Sequence, residues 1–163
     1  EIHAESRPGI GTCFTIHLPK SAAESLPPSE YAMLEHGAGT ILLVDDDEVL
    51  RTTGRMMLEE LGYNVLLARD GAEALAQFEM HQKLIDLIIL DMVMPRMNGR
   101  DVFKAIRRKS PQAKIILASG FSDRQAVQDL EQEGLYGFLQ KPYRIAQLSG
   151  IISGAIQKTK GEP

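Results

Sequence analysis

Five short runs of this chain are apolar almost from end to end: Ile41–Val44, Val65–Ala68, Leu87–Leu90, Ile115–Ala118 and Leu135–Leu139. A strand with one wet face alternates apolar and polar residues. A run without alternation is buried on both faces, as in a parallel sheet covered by helices. Between the runs, apolar residues step by three or four. Val49, Thr53, Met56, Met57 and Leu61 form one such stripe, and Leu75 with Phe78, Val102 with Ile106 and Val127 with Leu130 form others. The last stripe runs through Ile145, Leu148, Ile152, Ala155 and Ile156. Gly62 suits the end of the first helix, and Asp70 and Ser122 suit helix N-caps. Five strands alternating with five helices predict a doubly wound α/β domain with right-handed crossovers.

What precedes this domain has a different texture. Thr12 to Leu18 alternates, with Phe14, Ile16 and Leu18 on one face of a strand that Pro19 would stop. Residues 20–38 are rich in Pro, Ser, Ala and Glu and read as a linker. The expected organisation is therefore a strand remnant at 1–19, a linker at 20–38, the α/β domain at 39–158 and a tail at 159–163.

The net charge of −4 offers no electrostatic reason to expect nucleic acid or an anionic membrane as a partner. The one basic run, Arg107-Arg108-Lys109, closes a helical stripe, where cations complement the helix dipole. Cys13 is the only cysteine, which excludes an intrachain disulfide and fits a reducing, cytoplasmic setting. No apolar run approaches the roughly 20 residues that span a bilayer. The chain starts at Glu1 and reads as a piece of a longer protein, whose membrane anchor, if it has one, is expected upstream.

All strands of a parallel sheet point one way, so their C-terminal ends share one edge, where open α/β sheets bind ligands. Asp45, Asp46 and Asp47 follow the first run, Asp91 the third, Ser119 and Gly120 the fourth, and Lys141 and Pro142 the fifth. Taken singly, these residues have plainer readings: helix caps, a turn, a loop hydroxyl, a solvated lysine. Together they place carboxylates, a hydroxyl and an ammonium on one edge. Clustered carboxylates repel unless a cation sits among them, and hard oxygen donors suit Mg²⁺. A carboxylate beside Mg²⁺ is able to attack a phosphoryl group, with an ammonium neutralising the phosphoryl oxygens.

Ile-Leu-Leu-Val-Asp-Asp-Asp (41–47), Leu-Asp-Met-Val-Met-Pro-Arg-Met-Asn-Gly (90–99), Ala-Ser-Gly (118–120) and Lys-Pro-Tyr (141–143) together resemble the receiver domain of two-component response regulators. The resemblance implies a strand order of 2-1-3-4-5 and makes Asp91 the phosphoacceptor. It implies Asp46, Asp91 and the backbone carbonyl of Val93 as Mg²⁺ ligands, with Asp45 acting through water and Asp47 outside the site. Lys141 would pair with the phosphate, and the Lys141–Pro142 bond would be cis. Ser119 would hydrogen-bond the phosphate and, with Phe138, form the switch. Two positions depart from the family pattern. Phe138 stands where Tyr is common, and Val93 has no polar side chain to hold a hydrolytic water, so a long-lived aspartyl phosphate is expected. The segment would catalyse only its own phosphorylation and dephosphorylation.

Gly9-Ile10-Gly11-Thr12-Cys13-Phe14-Thr15-Ile16-His17-Leu18-Pro19 looks like the closing strand of a histidine-kinase ATP-binding domain. That implies a hybrid sensor histidine kinase as parent, without ATP binding by this piece. Its partners would be the parent's kinase core, a histidine phosphotransfer protein, or both, with no membrane contact by this segment. Homodimerisation through the fourth helix, fifth strand and fifth helix is common in the family. No phosphodonor motif surrounds His3, His17, His36 or His81, and no DNA-binding output domain is expected after the receiver. Two rival readings stand beside this one. The run into Asp45-Asp46-Asp47 also fits haloacid-dehalogenase-type phosphatases, with Asp45 as nucleophile and Asp47 as acid. A receiver-like interaction module that takes no phosphate is the other.

Overall fold

The computed structural model describes residues 1–17, 34–120 and 124–157. Near the N-terminus, β1 (Ile2–Arg7) pairs antiparallel with β2 (Gly11–Ile16). The expected strand is present as β2, but Leu18 and Pro19 lie outside the described residues. Its partner β1 was not anticipated, because Ile-His-Ala-Glu-Ser-Arg has only a weak apolar alternation. Register sets Ile2 opposite Ile16 and Ala4 opposite Phe14, and all of these residues are exposed.

The main sheet comprises β3 (Thr40–Val44), β4 (Asn64–Ala68), β5 (Ile85–Asp91), β6 (Ile115–Ser119) and β7 (Gly137–Gln140). Its order is β4-β3-β5-β6-β7, parallel throughout. This is the doubly wound 2-1-3-4-5 arrangement expected. The helices are α1 (Glu48–Glu60), α2 (Gly71–His81), α3 (Gly99–Lys109), α4 (Arg124–Gln132) and α5 (Ile145–Gln157). Among the described residues, no helix is long and apolar enough to cross a membrane.

Strand residues alternate faces, so the sheet builds two cores. Leu42, Val44, Ile88, Leu90, Ile115 and Leu117 meet Phe78 of α2, Phe103 and Ile106 of α3 and Leu130 of α4. Ile41, Leu43, Leu87, Ile89, Ile116 and Leu139 meet Leu58 of α1 and Leu148, Ile152 and Ala155 of α5. This is why the runs lack alternation: each strand buries both parities. The fifth strand begins at Gly137, later than the Leu135–Leu139 run, although Leu135 is itself buried.

Asp47 caps α1, its Oδ1 accepting from the amides of Val49 and Leu50, and Asp70 caps α2 in the same way. Gly62 follows α1 at φ 91°, a left-handed conformation in which a glycine costs little. Ser122 lies outside the described residues. One stripe needs correction. The buried face of α1 is Gly54, Leu58 and Leu61, with Met57 at its flank, whereas Val49 and Met56 are 71% and 62% exposed. Gly54 lies so close to the sheet that a Cβ there would stand 2.9 Å from Leu43 Cδ2. A pattern weighted by side-chain size passes over the glycine that lets the helix approach, and so turns the helix by about one residue.

The two faces of α1 are separable experimentally. Leu58→Ala is expected to cost about 2–5 kcal/mol in urea denaturation, and Met56→Ala to stay within about 0.5 kcal/mol of the parent.

Candidate functional site

The face alternation that builds the cores also aims the charges. Asp45 comes two residues after Leu43, Asp91 two after Ile89, and Lys141 two after Leu139. All three continue the parity that faces α1 and α5, and they do so where their strands run out. Ladder bonds carry on past the apolar segments: the amide of Asp45 donates to Ala68 O (3.1 Å), Met92 to Ala118 O (2.9 Å) and Lys141 to Ser119 O (2.8 Å). The backbone carrying the charged side chains is therefore held by the sheet itself.

Lys141 Nζ lies 2.6 Å from Asp45 Oδ2 and 3.1 Å from Asp91 Oδ1. Asp45 is 2% exposed and Asp91 7%. The other oxygen of Asp45, Oδ1, accepts from the amide of Asp47 (3.0 Å), and its backbone carbonyl accepts from Arg51 Nη1 (2.7 Å). Asp46 stands exposed at the rim, and one oxygen each of Asp45, Asp46 and Asp91 lie within 4.8 Å of one another. Asp47 turns away to cap α1.

Burial pushes the Asp91 carboxyl above the ordinary carboxylate range. The Lys141 charge and hydrogen bond oppose this, the Asp45 charge adds to it, and the Val93 amide hydrogen bond opposes it. Burial pulls the Lys141 ammonium down, but its hydrogen bond to Asp45 and the charges of Asp91 and Asp45 outweigh that and hold it above its usual value. Three carboxylates face one ammonium, so two negative charges lack compensation within the cluster. A set of hard oxygen donors, part buried and part at a wet rim, with that surplus charge, fits a divalent cation such as Mg²⁺.

Ser119 ends β6 and is buried, but it has the opposite parity, two residues on from Leu117. Phe138 shares that parity and is half-buried against the core beneath α2, α3 and α4. The structure thus brings Asp45, Asp46, Asp91 and Lys141 together, while Ser119 ends β6 with the parity of Leu117, as Phe138 does on β7. The side chain of Val93 is exposed in the loop after Asp91. The Lys141–Pro142 bond is cis, as expected.

Two features of the Asp91 loop were not read from the sequence. The amide of Gly99 donates to Met92 O (3.0 Å), and a Cβ at Gly99 would lie 2.3 Å from Asp91 O, so only glycine closes the loop there. At its tip Arg96 has φ 71°, and its Nη2 lies 2.8 Å from Asp70 Oδ2, while Asp70 Oδ1 still caps α2. Non-glycine residues seldom adopt this conformation, and arginine carries no sequence signal for it. A groove of about 480 Å³ opens beside Lys141, walled by Leu50, Gly54 and Met57 of α1 and by Pro142 and Tyr143.

A family model described as the response regulator receiver domain matches residues 41–153. The chain is similar to the sensor kinase CckA of Brucella abortus, 32% identical over 96% of this chain and 18% of that protein. The chain therefore spans less than a fifth of that relative's length. Among solved structures it is similar to a response regulator receiver domain protein from Clostridium thermocellum, with a TM-score of 0.72 and 31% identity over 75% of this chain and 97% of that one. It is also similar to a chain of the CheX-CheY-BeF3-Mg complex of Borrelia burgdorferi, with a TM-score of 0.69 and 27% identity over 71% of this chain and 87% of that one.

The direction of the Asp91 shift has a consequence for stability. A carboxyl with a raised pKa in the folded state favours folding below its unfolded pKa. It forfeits that contribution as pH rises through its folded pKa, and the ionised group then opposes folding. Asp91→Asn is expected to raise the urea midpoint at pH 7 in Mg²⁺-free buffer, with the gain shrinking as the buffer is acidified through the carboxylate range.

Proposed function

Because the chain belongs to the response regulator receiver domain family, we propose that it takes a phosphoryl group from a phosphohistidine onto Asp91 and changes conformation as a result. One observation carries this reading most: a single ammonium, Lys141, bridges Asp45 and Asp91 at the mouth of a carboxylate cluster. An Asp91 oxygen forms the new bond to phosphorus as the phosphorus–nitrogen bond of the donor breaks, its electron pair returning to the imidazole. Lys141 is close enough to follow charge from the Asp91 carboxylate onto the phosphoryl oxygens. The Ser119 hydroxyl is suited to donate to one of those oxygens, and Phe138 to fill space on the same side of the sheet edge as Ser119 moves.

Receiver domains bind Mg²⁺ at an acidic pocket, and the donor set here fits it. Asp46, Asp91 and the backbone carbonyl of Val93 would hold the ion, with Asp45 acting through water. That indirect role suits Asp45, whose oxygens are already engaged by Lys141 and the Asp47 amide. What Mg²⁺ supplies there is charge to offset that of the phosphoryl oxygens.

The same engagement weighs against the phosphatase reading. Asp45 as nucleophile would have to give up the Lys141 contact, and Asp47 as acid is committed to the α1 cap. The inert interaction module is weighed down by the full acidic set with its lysine in contact.

Receiver domains act with histidine kinases or phosphotransfer proteins. The apolar groove beside Lys141, with Leu50 exposed at its wall, supports a protein donor that docks there to reach Asp91. We further propose a hybrid sensor histidine kinase as parent. The similarity to CckA extends beyond the receiver, and the β1–β2 hairpin leaves the face of Ile2, Phe14 and Ile16 exposed, as a piece cut from a larger sheet would.

Incubation with Mg²⁺ and acetyl phosphate, followed by intact mass measurement, tests the acceptor. One added phosphoryl group that needs Mg²⁺ and vanishes in Asp91→Asn is the expected outcome. No gain in the parent chain would favour the inert module, and a gain surviving Asp91→Asn would point to Asp45. Once formed, the aspartyl phosphate is expected to last minutes or longer, because Val93 offers no polar group to a hydrolytic water. Val93→Asn is expected to shorten it, and decay of the parent chain within seconds would contradict the proposal.

A further inference from the structure

The chain arrives at β3 along a path that is already built. Leu34 packs on the core shared by α1 and α5. The peptide of Glu35 is bound at both ends by one side chain: its amide donates to Ser149 Oγ (2.8 Å), and that hydroxyl donates to the Glu35 carbonyl (3.1 Å). Ser149 belongs to α5 and is 2% exposed, so this reciprocal pair satisfies a buried hydroxyl. Two residues on, the amide of Gly37 donates to Leu61 O (2.9 Å), one of the carbonyls that the end of α1 leaves without a helical partner. A Cβ on Gly37 would lie 2.1 Å from the Tyr63 hydroxyl, and one on Gly62 would lie 2.6 Å from the Gly37 carbonyl. The Gly39 carbonyl then accepts from the amide of Asn64 (2.8 Å). Four of the six residues 34–39 thus carry anchors, on the core, α5, the end of α1 and β4, and Gly62 meets the segment where a Cβ would clash with its backbone.

A free linker needs none of this. We infer that residues 34–39 are a docked strap, and that the α1/α5 seam is an interaction surface for this stretch of the protein's own chain. The seam at Ser149 is closed to a second copy or a partner unless the strap leaves. By linkage, a ligand that needs the seam loses in affinity what the strap gains by docking. This inference rests on packing alone and is independent of the phosphoryl chemistry proposed above.

Residue-resolved hydrogen exchange on the full chain tests it. The amides of Glu35 and Gly37 are expected to exchange at least about 100-fold more slowly than unstructured peptide amides, as docked segments do. In Ser149→Ala, protection at Glu35 and Gly37 is expected to fall about tenfold or more, while amides of the central strand Leu87–Leu90 keep theirs and the uptake of phosphoryl from acetyl phosphate is unchanged. Coil-like exchange at Glu35 and Gly37 in the parent chain overturns the strap by itself, whatever the variant does. So does Ser149→Ala leaving both amides as protected as before. Loss of phosphoryl uptake in the parent chain would count against the receiver chemistry and leave the exchange result to decide the strap.

Discussion

The rest of the structure depends on a parallel sheet that must hide both of its faces. Parallel strands joined by helical crossovers put helices on each side, and strand side chains of both parities then need apolar partners. Ile41 and Leu43 face one core while Leu42 and Val44 face the other, and β5 and β6 repeat the division. Charge has no place along the buried middle of such strands, and Asp86 stands exposed near the start of β5. It appears where the strands end, and parallelism brings those ends to one edge. The site thus lies at the C-terminal edge of the sheet, where the buried runs give way to polar side chains.

That position sets its electrostatics. Asp45 and Asp91 keep the parity of the residues two before them, so they face the same side and are buried nearly as deeply as the core. Burying carboxylates side by side is unfavourable without a compensating charge. Lys141, placed by the edge strand β7 on the far side of β6 from Asp91, supplies one, and leaves Asp91 still holding its proton more tightly than a solvated aspartate would. The cluster is therefore under-neutralised. Such a site is held together by the surrounding fold, and its surplus negative charge is what a cation would offset.

Around this centre, the connecting segments are more constrained than their composition suggests. The loop after Asp91 is closed by Gly99 against the Asp91 carbonyl and tied at its tip by Arg96 to Asp70, whose carboxylate serves α2 with its other oxygen. An exposed ion pair of this kind contributes little energy, about 0–1 kcal/mol. Its effect is geometric, since it joins the loop carrying Val93 to the start of a helix. On the opposite side, the approach to β3 is fixed to α1, α5 and β4 by main-chain groups.

The sequence by itself determined the class of fold and which polar residues follow the strand ends. Runs apolar in both parities admit few structures other than a covered parallel sheet, and once the strands are parallel, Asp45, Asp91, Ser119 and Lys141 must share an edge. It also determined the caps, because Asp47 and Asp70 bond within their own helical turns. Only the tertiary structure decided which face of α1 is buried, since the close contact depends on Gly54 and on what Leu43 presents to it. It also decided that Lys141 touches two carboxylates at once, that Arg96 reaches Asp70, that β2 pairs with β1, and that Leu34 and Glu35 belong against α5. The β1–β2 hairpin is local and was hidden by the weak alternation of β1, whereas the other contacts join residues distant in the chain, up to 114 positions apart for Glu35 and Ser149. Local patterns record what a residue needs from its neighbours in the chain. They carry no record of the partner that folding brings from elsewhere.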